Sequence, residues 1–194
     1  MWFADQQDSV KKYTALVKEF APNSKALYGL VVWQAIQNGE INTVKEFARK
    51  YFEDDTLNYN KEVGVGYLFL KNWKEAEKYY ARSTYRDMDW GLVLLKLGKK
   101  DSGLSVLRKV AALREINRDW NNATRVYAAL GDKIKAISCF RKTNTYALPS
   151  NDPFWDGMRE EPEFKELLIE SVKKQAEIMK QIKGDERKKF SLDF

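Results

Sequence analysis

The segment Trp120–Thr143 contains two short amphipathic patterns separated by a Gly-Asp pair. Apolar side chains recur at steps of three and four residues on both sides of the pair, and this spacing predicts two helices. Gly131 suits the left-handed position after a helix, and Asp132 suits the cap of the next one. One hairpin of this size cannot bury both apolar stripes, so it must have neighbours of the same kind.

The pattern recurs upstream, where Gly64 and Tyr67 match Thr124 and Tyr127. Weaker copies surround Ala35 and Leu94. The matching small or short residues of the second helices lie 32, 27 and 33 positions apart; they are Val44, Ala76, Gly103 and Ala136. The chain therefore carries a degenerate repeat of about 33 residues with one shortened member.

These residues resemble the tetratricopeptide repeat, a 34-residue helix-turn-helix unit. The resemblance covers about residues 25–145, although the register of the short member between Ala76 and Gly103 is not fixed by the sequence. It implies an all-α, right-handed α-solenoid of about four hairpins, in which Gly64 with Ala76 and Gly91 with Gly103 would let paired helices cross closely. An irregular helical bundle is the alternative.

The expected organisation has four parts: an N-terminal helix at 1–24, the repeat array at 25–148, a capping segment with a long C-terminal helix at 149–184, and a disordered tail at 185–194. Residues 153–168, PFWDGMREEPEFKELL, resemble the segment that closes tetratricopeptide arrays in bacterial signalling proteins. By that resemblance, the chain is expected to be the sensor or scaffold part of a larger bacterial signalling or regulatory protein.

The amino-acid composition limits which catalytic and metal-binding sites the chain can form. The chain has no histidine, which removes His-dependent catalytic triads and the commonest metal ligand. The single cysteine, Cys139, is expected to be a buried small apolar residue. The paired carboxylates Asp54-Asp55 and Glu160-Glu161 fall at predicted turns and helix starts, where the helix dipole favours them. We expect no catalytic residues, no metal and no cofactor, and a carboxylate-dependent enzyme is the least favoured alternative.

The formal net charge is +6, and much of the excess lies after residue 170. A basic C-terminal helix suggests a nucleic-acid-binding helical repeat as the alternative function. The longest apolar run, about 27–36, is too short to cross a bilayer, and the first ten residues lack the pattern of a signal peptide. No membrane association and a cytoplasmic location are expected.

In tetratricopeptide arrays the first helix of each unit lines a concave, peptide-binding face. The resemblance places four polar residues on or near that face, on successive turns of one helix: Arg118, Asn121, Asn122 and Arg125. Guanidinium and amide groups in this arrangement suit a carboxylate or the backbone of a peptide. The other interpretation of the four is a solvated helix face.

The set partly resembles the carboxylate clamp of chaperone-binding repeats. The matching positions elsewhere depart from that clamp; they are Lys61, Glu62, Val65, Tyr85, Met88, Asp89 and Leu92. Among apolar groups, Trp33, Tyr85, Met88 and Leu92 could form a floor to the groove or belong to the core between repeats. The function expected from the sequence is non-catalytic recognition of a protein or peptide.

Overall fold

A computed structural model describes residues 25–143, 152–170 and 173, and every regular element within these ranges is helical. The predicted all-α class is therefore confirmed for the described part of the chain. The helices are α1 Lys25–Asn38, α2 Ile41–Tyr51, α3 Thr56–Phe69, α4 Trp73–Ser83, α5 Met88–Lys96, α6 Lys100–Ile116, α7 Trp120–Leu130 and α8 Lys133–Lys142. A 3₁₀ turn, Pro153–Trp155, and α9 at 162–170 follow. The predicted N-terminal helix at 1–24 and the tail at 185–194 lie outside the described residues.

Side-chain caps determine where most of these helices begin. In each case the carboxylate or amide accepts the backbone N–H three residues further on, which satisfies one of the free donors of the first turn. The capping residues are Asp55 of α3, Asn72 of α4, Asp87 of α5, Asp119 of α7 and Asp132 of α8. Because Asp55 caps α3, the polar residues that follow it form the exposed first turn of that helix.

Four turns join α1 to α2, α3 to α4, α5 to α6 and α7 to α8. Each contains one residue with a left-handed backbone: Gly39, Lys71, Gly98 and Gly131. Their spacings of 32, 27 and 33 residues equal those of the small residues in the sequence repeat. In the structure, the turn of the short member lies at Gly98.

The paired helices contact one another at the small residues. A Cβ atom on Gly103 of α6 would lie 2.8 Å from the Leu95 backbone nitrogen and 2.9 Å from the Gly91 carbonyl oxygen. This confirms the close crossing predicted for Gly91 with Gly103. A Cβ atom on Gly64 of α3 would lie 3.0 Å from the ring of Tyr80 on α4, so that ring fills the space beside Gly64.

The chain divides into two compact units, Met1–Val106 and Leu107–Phe194, which we call unit 1 and unit 2. The division falls inside α6 and within the predicted array at 25–148. The second-helix positions Val44, Ala76 and Ala136 are fully buried, as the repeat predicts. The core of unit 1 contains Val63, Leu68, Tyr80 and Leu92, among others.

In unit 2, residues 152–170 form a segment that packs on the α7–α8 hairpin, and we call it the capping segment. Trp155 stacks on Phe164 with 5.0 Å between ring centroids, and its edge meets Phe140 of α8 at 6.4 Å. Asp152 caps the 3₁₀ turn, and Pro153 is its first residue. Arg159 Nη2 donates to the Asp152 carbonyl oxygen at 2.7 Å, which ties the two ends of the turn together.

Candidate functional site

The four predicted groove residues do not all lie on one helix. Asn121, Asn122 and Arg125 belong to the first two turns of α7. Arg118 precedes the helix, in the turn before the cap Asp119, and has a left-handed backbone with φ of 55°. The expectation of successive turns on one helix is therefore wrong for Arg118, because Asp119 starts α7 after it.

Asn122 and Arg125 belong to a chain of hydrogen bonds within unit 2. Arg114 Nη1 donates to Asp119 Oδ2 at 2.9 Å, and Asn122 Nδ2 donates to the same oxygen at 2.9 Å. Arg125 Nη1 then donates to Asn122 Oδ1 at 3.3 Å, and Arg125 Nε donates to Asp152 Oδ2 at 2.8 Å. The network runs from the end of α6 along α7 to the capping segment.

The pair of Arg125 and Asp152 is shielded from water, since their side chains are 16% and 1% exposed. The Arg125 guanidinium also lies over the Phe154 ring, 4.5 Å from its centroid. Asp152 uses its other oxygen to accept the Phe154 backbone N–H at 3.1 Å. The group predicted to grip a peptide carboxylate is thus already bound to a carboxylate of its own chain.

In unit 1 the matching positions form a different cluster. The Tyr85 hydroxyl donates to Asn58 Oδ1 at 2.8 Å, and Lys61 Nζ lies 4.8 Å from the centroid of the Tyr85 ring. We call these three residues the Tyr85 cluster. Asn58 and Tyr85 occupy equivalent positions of consecutive repeats, because both lie six residues before the glycines Gly64 and Gly91. The bond between them shows that the starts of α3 and α5 are neighbours.

The four residues proposed for the apolar floor of the groove differ in burial. Met88 and Leu92 are buried, which confirms the core interpretation for both. Trp33 is 43% exposed and Tyr85 is 37% exposed, and the Trp33 ring meets the Phe69 ring edge-on at 5.6 Å. Two large aromatic rings on or beside first helices of unit 1 thus remain accessible for contact with another molecule.

No family model, curated protein or solved structure matches this chain. The functional assignment therefore rests on its own residues and on the resemblance described above.

Four other candidate reactive groups, Cys139, Asp55, Glu160 and Glu161, are buried, cap a helix or form ion pairs. Cys139 is 2% exposed, and burial raises the pKa of its thiol, which disfavours the reactive thiolate. Asp55 is a helix cap, and Glu160 and Glu161 bind Lys165 and Lys133. Within 25–143, 152–170 and 173, no group of three or more acidic or cysteine side chains is arranged to hold a metal ion. Over the same residues, no helix is both long and apolar enough to cross a membrane.

Glu62 on α3 is a partly buried acid of unit 1. Burial raises the pKa of its carboxyl, the Lys61 charge lowers that pKa, and Asp87 raises it. Sequence reasoning placed Glu62 at a groove position but could not detect its burial, because the residues around it come from other helices.

Glu62→Gln is expected to raise the melting temperature at neutral pH. When a carboxyl has a higher pKa in the folded chain than in the unfolded chain, the folded protein loses stability as the pH rises from the unfolded-state pKa through the folded-state pKa. The gain from Glu62→Gln should therefore disappear below pH 4, where the carboxyl is protonated in both states. Thermal melts at pH 3.5 and pH 7 measure it, with the exposed Glu46→Gln on α2 as the control. Equal melting temperatures of Glu62→Gln and the wild-type chain at pH 7 would show that burial of the Glu62 carboxylate does not destabilise the fold.

Proposed function

We propose that this chain is a non-catalytic, tetratricopeptide-like repeat protein that recognises a protein or peptide through the first helices of unit 1. The support for the repeat assignment is the agreement between three periodic features. The turn residues, the buried second-helix positions and the close crossing at Gly103 all follow the spacing found in the sequence. A right-handed solenoid of about four hairpins is the arrangement that this repeat favours.

The observation that carries the functional proposal is the Tyr85 cluster. It places an ammonium group and an amide of α3 beside an aromatic ring of the segment that leads into α5. Aromatic side chains beside hydrogen-bonding groups are typical of the residues that contribute most to protein interfaces. The Lys61 ammonium suits a carboxylate or a backbone carbonyl of the partner, and the exposed rings of Tyr85 and Trp33 suit apolar side chains.

The same proposal places the chain in the cytoplasm, as the sensor or scaffold part of a bacterial signalling or regulatory protein. The support for the signalling role is the capping segment, which resembles the segment that closes such arrays. Trp155 and Phe164 form the aromatic core, Arg159 closes the turn, and Pro162 begins α9.

The described residues do not favour the nucleic-acid alternative over this one. Lys133 and Arg141 of α8 are bound to Glu161 and Glu163 of the capping segment. Lys142 lies over the ring of Trp120, 4.5 Å from its centroid. The basic residues that motivated the alternative lie almost entirely beyond residue 173, outside the described ranges.

The proposal is tested by position-specific photo-crosslinking followed by charge reversal. A photoreactive phenylalanine derivative at position 85 should capture a protein partner, and the same group at Lys74, exposed on second helix α4, should not. Once the partner is identified, Lys61→Glu should weaken its binding about tenfold, because a repulsive charge replaces an attractive one at the contact. Lys74→Glu makes the same charge change away from the cluster and should leave the affinity unchanged.

A further inference from the structure

The capping segment and the hairpin beneath it carry opposite charge. Residues 152–170 contain seven acidic and two basic side chains. The α7–α8 hairpin, residues 120–142, contains five basic side chains and one acidic side chain. Complementary charge of this kind is how protein surfaces select a partner and fix its orientation.

Three ion pairs join the two surfaces. Arg125 binds the buried Asp152 at 2.8 Å, Arg141 binds Glu163 at 2.8 Å, and Lys133 binds Glu161. Between them, Trp155 and Phe164 pack against the Phe140 ring of α8. The hairpin thus presents cations and apolar surface, and the capping segment contacts them with carboxylates and aromatic rings.

The capping segment contacts Arg125 of α7, one of the residues predicted from the sequence to bind a peptide carboxylate. Arg125 Nε donates to Asp152 Oδ2 at 2.8 Å, and the Arg125 guanidinium lies over the Phe154 ring. A residue predicted to bind a ligand is therefore bound by a segment that has the chemistry of that ligand.

We propose that the capping segment is an internal, autoinhibitory ligand of the α7–α8 hairpin. The site beneath it accepts an acidic protein segment with aromatic residues, whose carboxylates bind Arg125, Lys133 and Arg141. Because the capping segment is tethered, its effective concentration is of millimolar order, and a partner must outcompete it. This inference rests on the proposed function, since it assigns a second, closed recognition site to the same kind of repeat.

The experiment uses the full chain with a weakened cap. Asp152→Asn, Glu161→Gln and Glu163→Gln together remove the three partner charges while keeping side-chain shape, and Asn can still cap the 3₁₀ turn. The probe is a fluorescent synthetic peptide with the sequence of residues 152–170. Fluorescence anisotropy should show the peptide binding the neutralised chain at least about tenfold more tightly than the wild-type chain.

The matched control removes three charges from the exposed side of the same segment, through Glu160→Gln, Glu166→Gln and Glu170→Gln. It should bind the peptide no better than the wild-type chain does. If the neutralised chain loses helicity by circular dichroism, Asp152→Asn alone takes its place, with the same expected direction. A folded variant that gains no affinity would overturn the inference.

A mixed-sequence DNA oligonucleotide tests whether the site binds nucleic acid rather than an acidic peptide. If it binds the neutralised chain more tightly than the peptide does, the site is not one for a protein segment and the inference fails. Recognition through Lys61 and Tyr85 is measured with a separate partner and separate variants. Failure at either site is therefore distinguishable from failure at the other.

Discussion

Arg125→Met should be the most destabilising single change in unit 2. The substitution keeps most of the apolar stem but leaves the Asp152 carboxylate, only 1% exposed, without its cation. Removing one member of a buried ion pair costs about 3–5 kcal/mol, because the remaining charge stays desolvated. For a chain of this size we expect the melting temperature to fall by roughly 10 °C.

Differential scanning calorimetry measures this fall, and hydrogen exchange should show faster exchange in α7 and the capping segment. Arg141→Met is the control, because its pair with Glu163 is 61% and 53% exposed and is worth at most about 1 kcal/mol. The double variant Arg125→Met/Asp152→Asn should recover part of the loss, since no buried charge remains unpaired. Equal melting of Arg125→Met and Arg141→Met would show that the network does not hold the capping segment.

Gly103→Ala should destabilise unit 1 even though alanine is the better helix former. Its Cβ atom would meet the backbone of α5 at 2.8 and 2.9 Å, and a backbone cannot rotate away as a side chain can. Overpacking of this kind typically costs about 1–3 kcal/mol, against about 1 kcal/mol gained from helix propensity. Forcing α5 and α6 apart also disturbs the core around Leu92, so we expect a net loss of about 2 kcal/mol.

Urea unfolding followed by circular dichroism measures this loss. Gly157→Ala is the control, because no neighbouring atom lies within 4 Å of its constructed Cβ atom. That variant should unfold at nearly the wild-type urea concentration. If both substitutions have the same effect, the close crossing of α5 and α6 is not a determinant of stability.

Local features were predictable where neighbouring residues determine the backbone. Gly131 and Asp132 gave the turn between α7 and α8 correctly, since a left-handed position and an N-cap depend on residue type and short-range bonds. Asp54-Asp55 was likewise placed at a turn or helix start, and the Asp55 side chain accepts the Asn58 N–H where α3 begins.

The arrangement of the site was less predictable, because it depends on contacts between distant residues. Periodicity placed Arg125 on a helix face, but it contains no information about Asp152, which lies 27 residues away. The contact of Tyr85 with Asn58 could have been anticipated from the repeat register, since the two positions match in consecutive units.

The affinity of the crosslinked partner for two charge-reversed chains tests the central claim most directly. If the first helices of unit 1 form the recognition surface, Lys61→Glu should lose about tenfold in affinity while Lys74→Glu stays within about twofold of the wild-type chain. Both chains should keep wild-type helicity, because both lysines lie at the protein surface. Equal affinities for Lys61→Glu and Lys74→Glu, with both chains folded, would contradict the account.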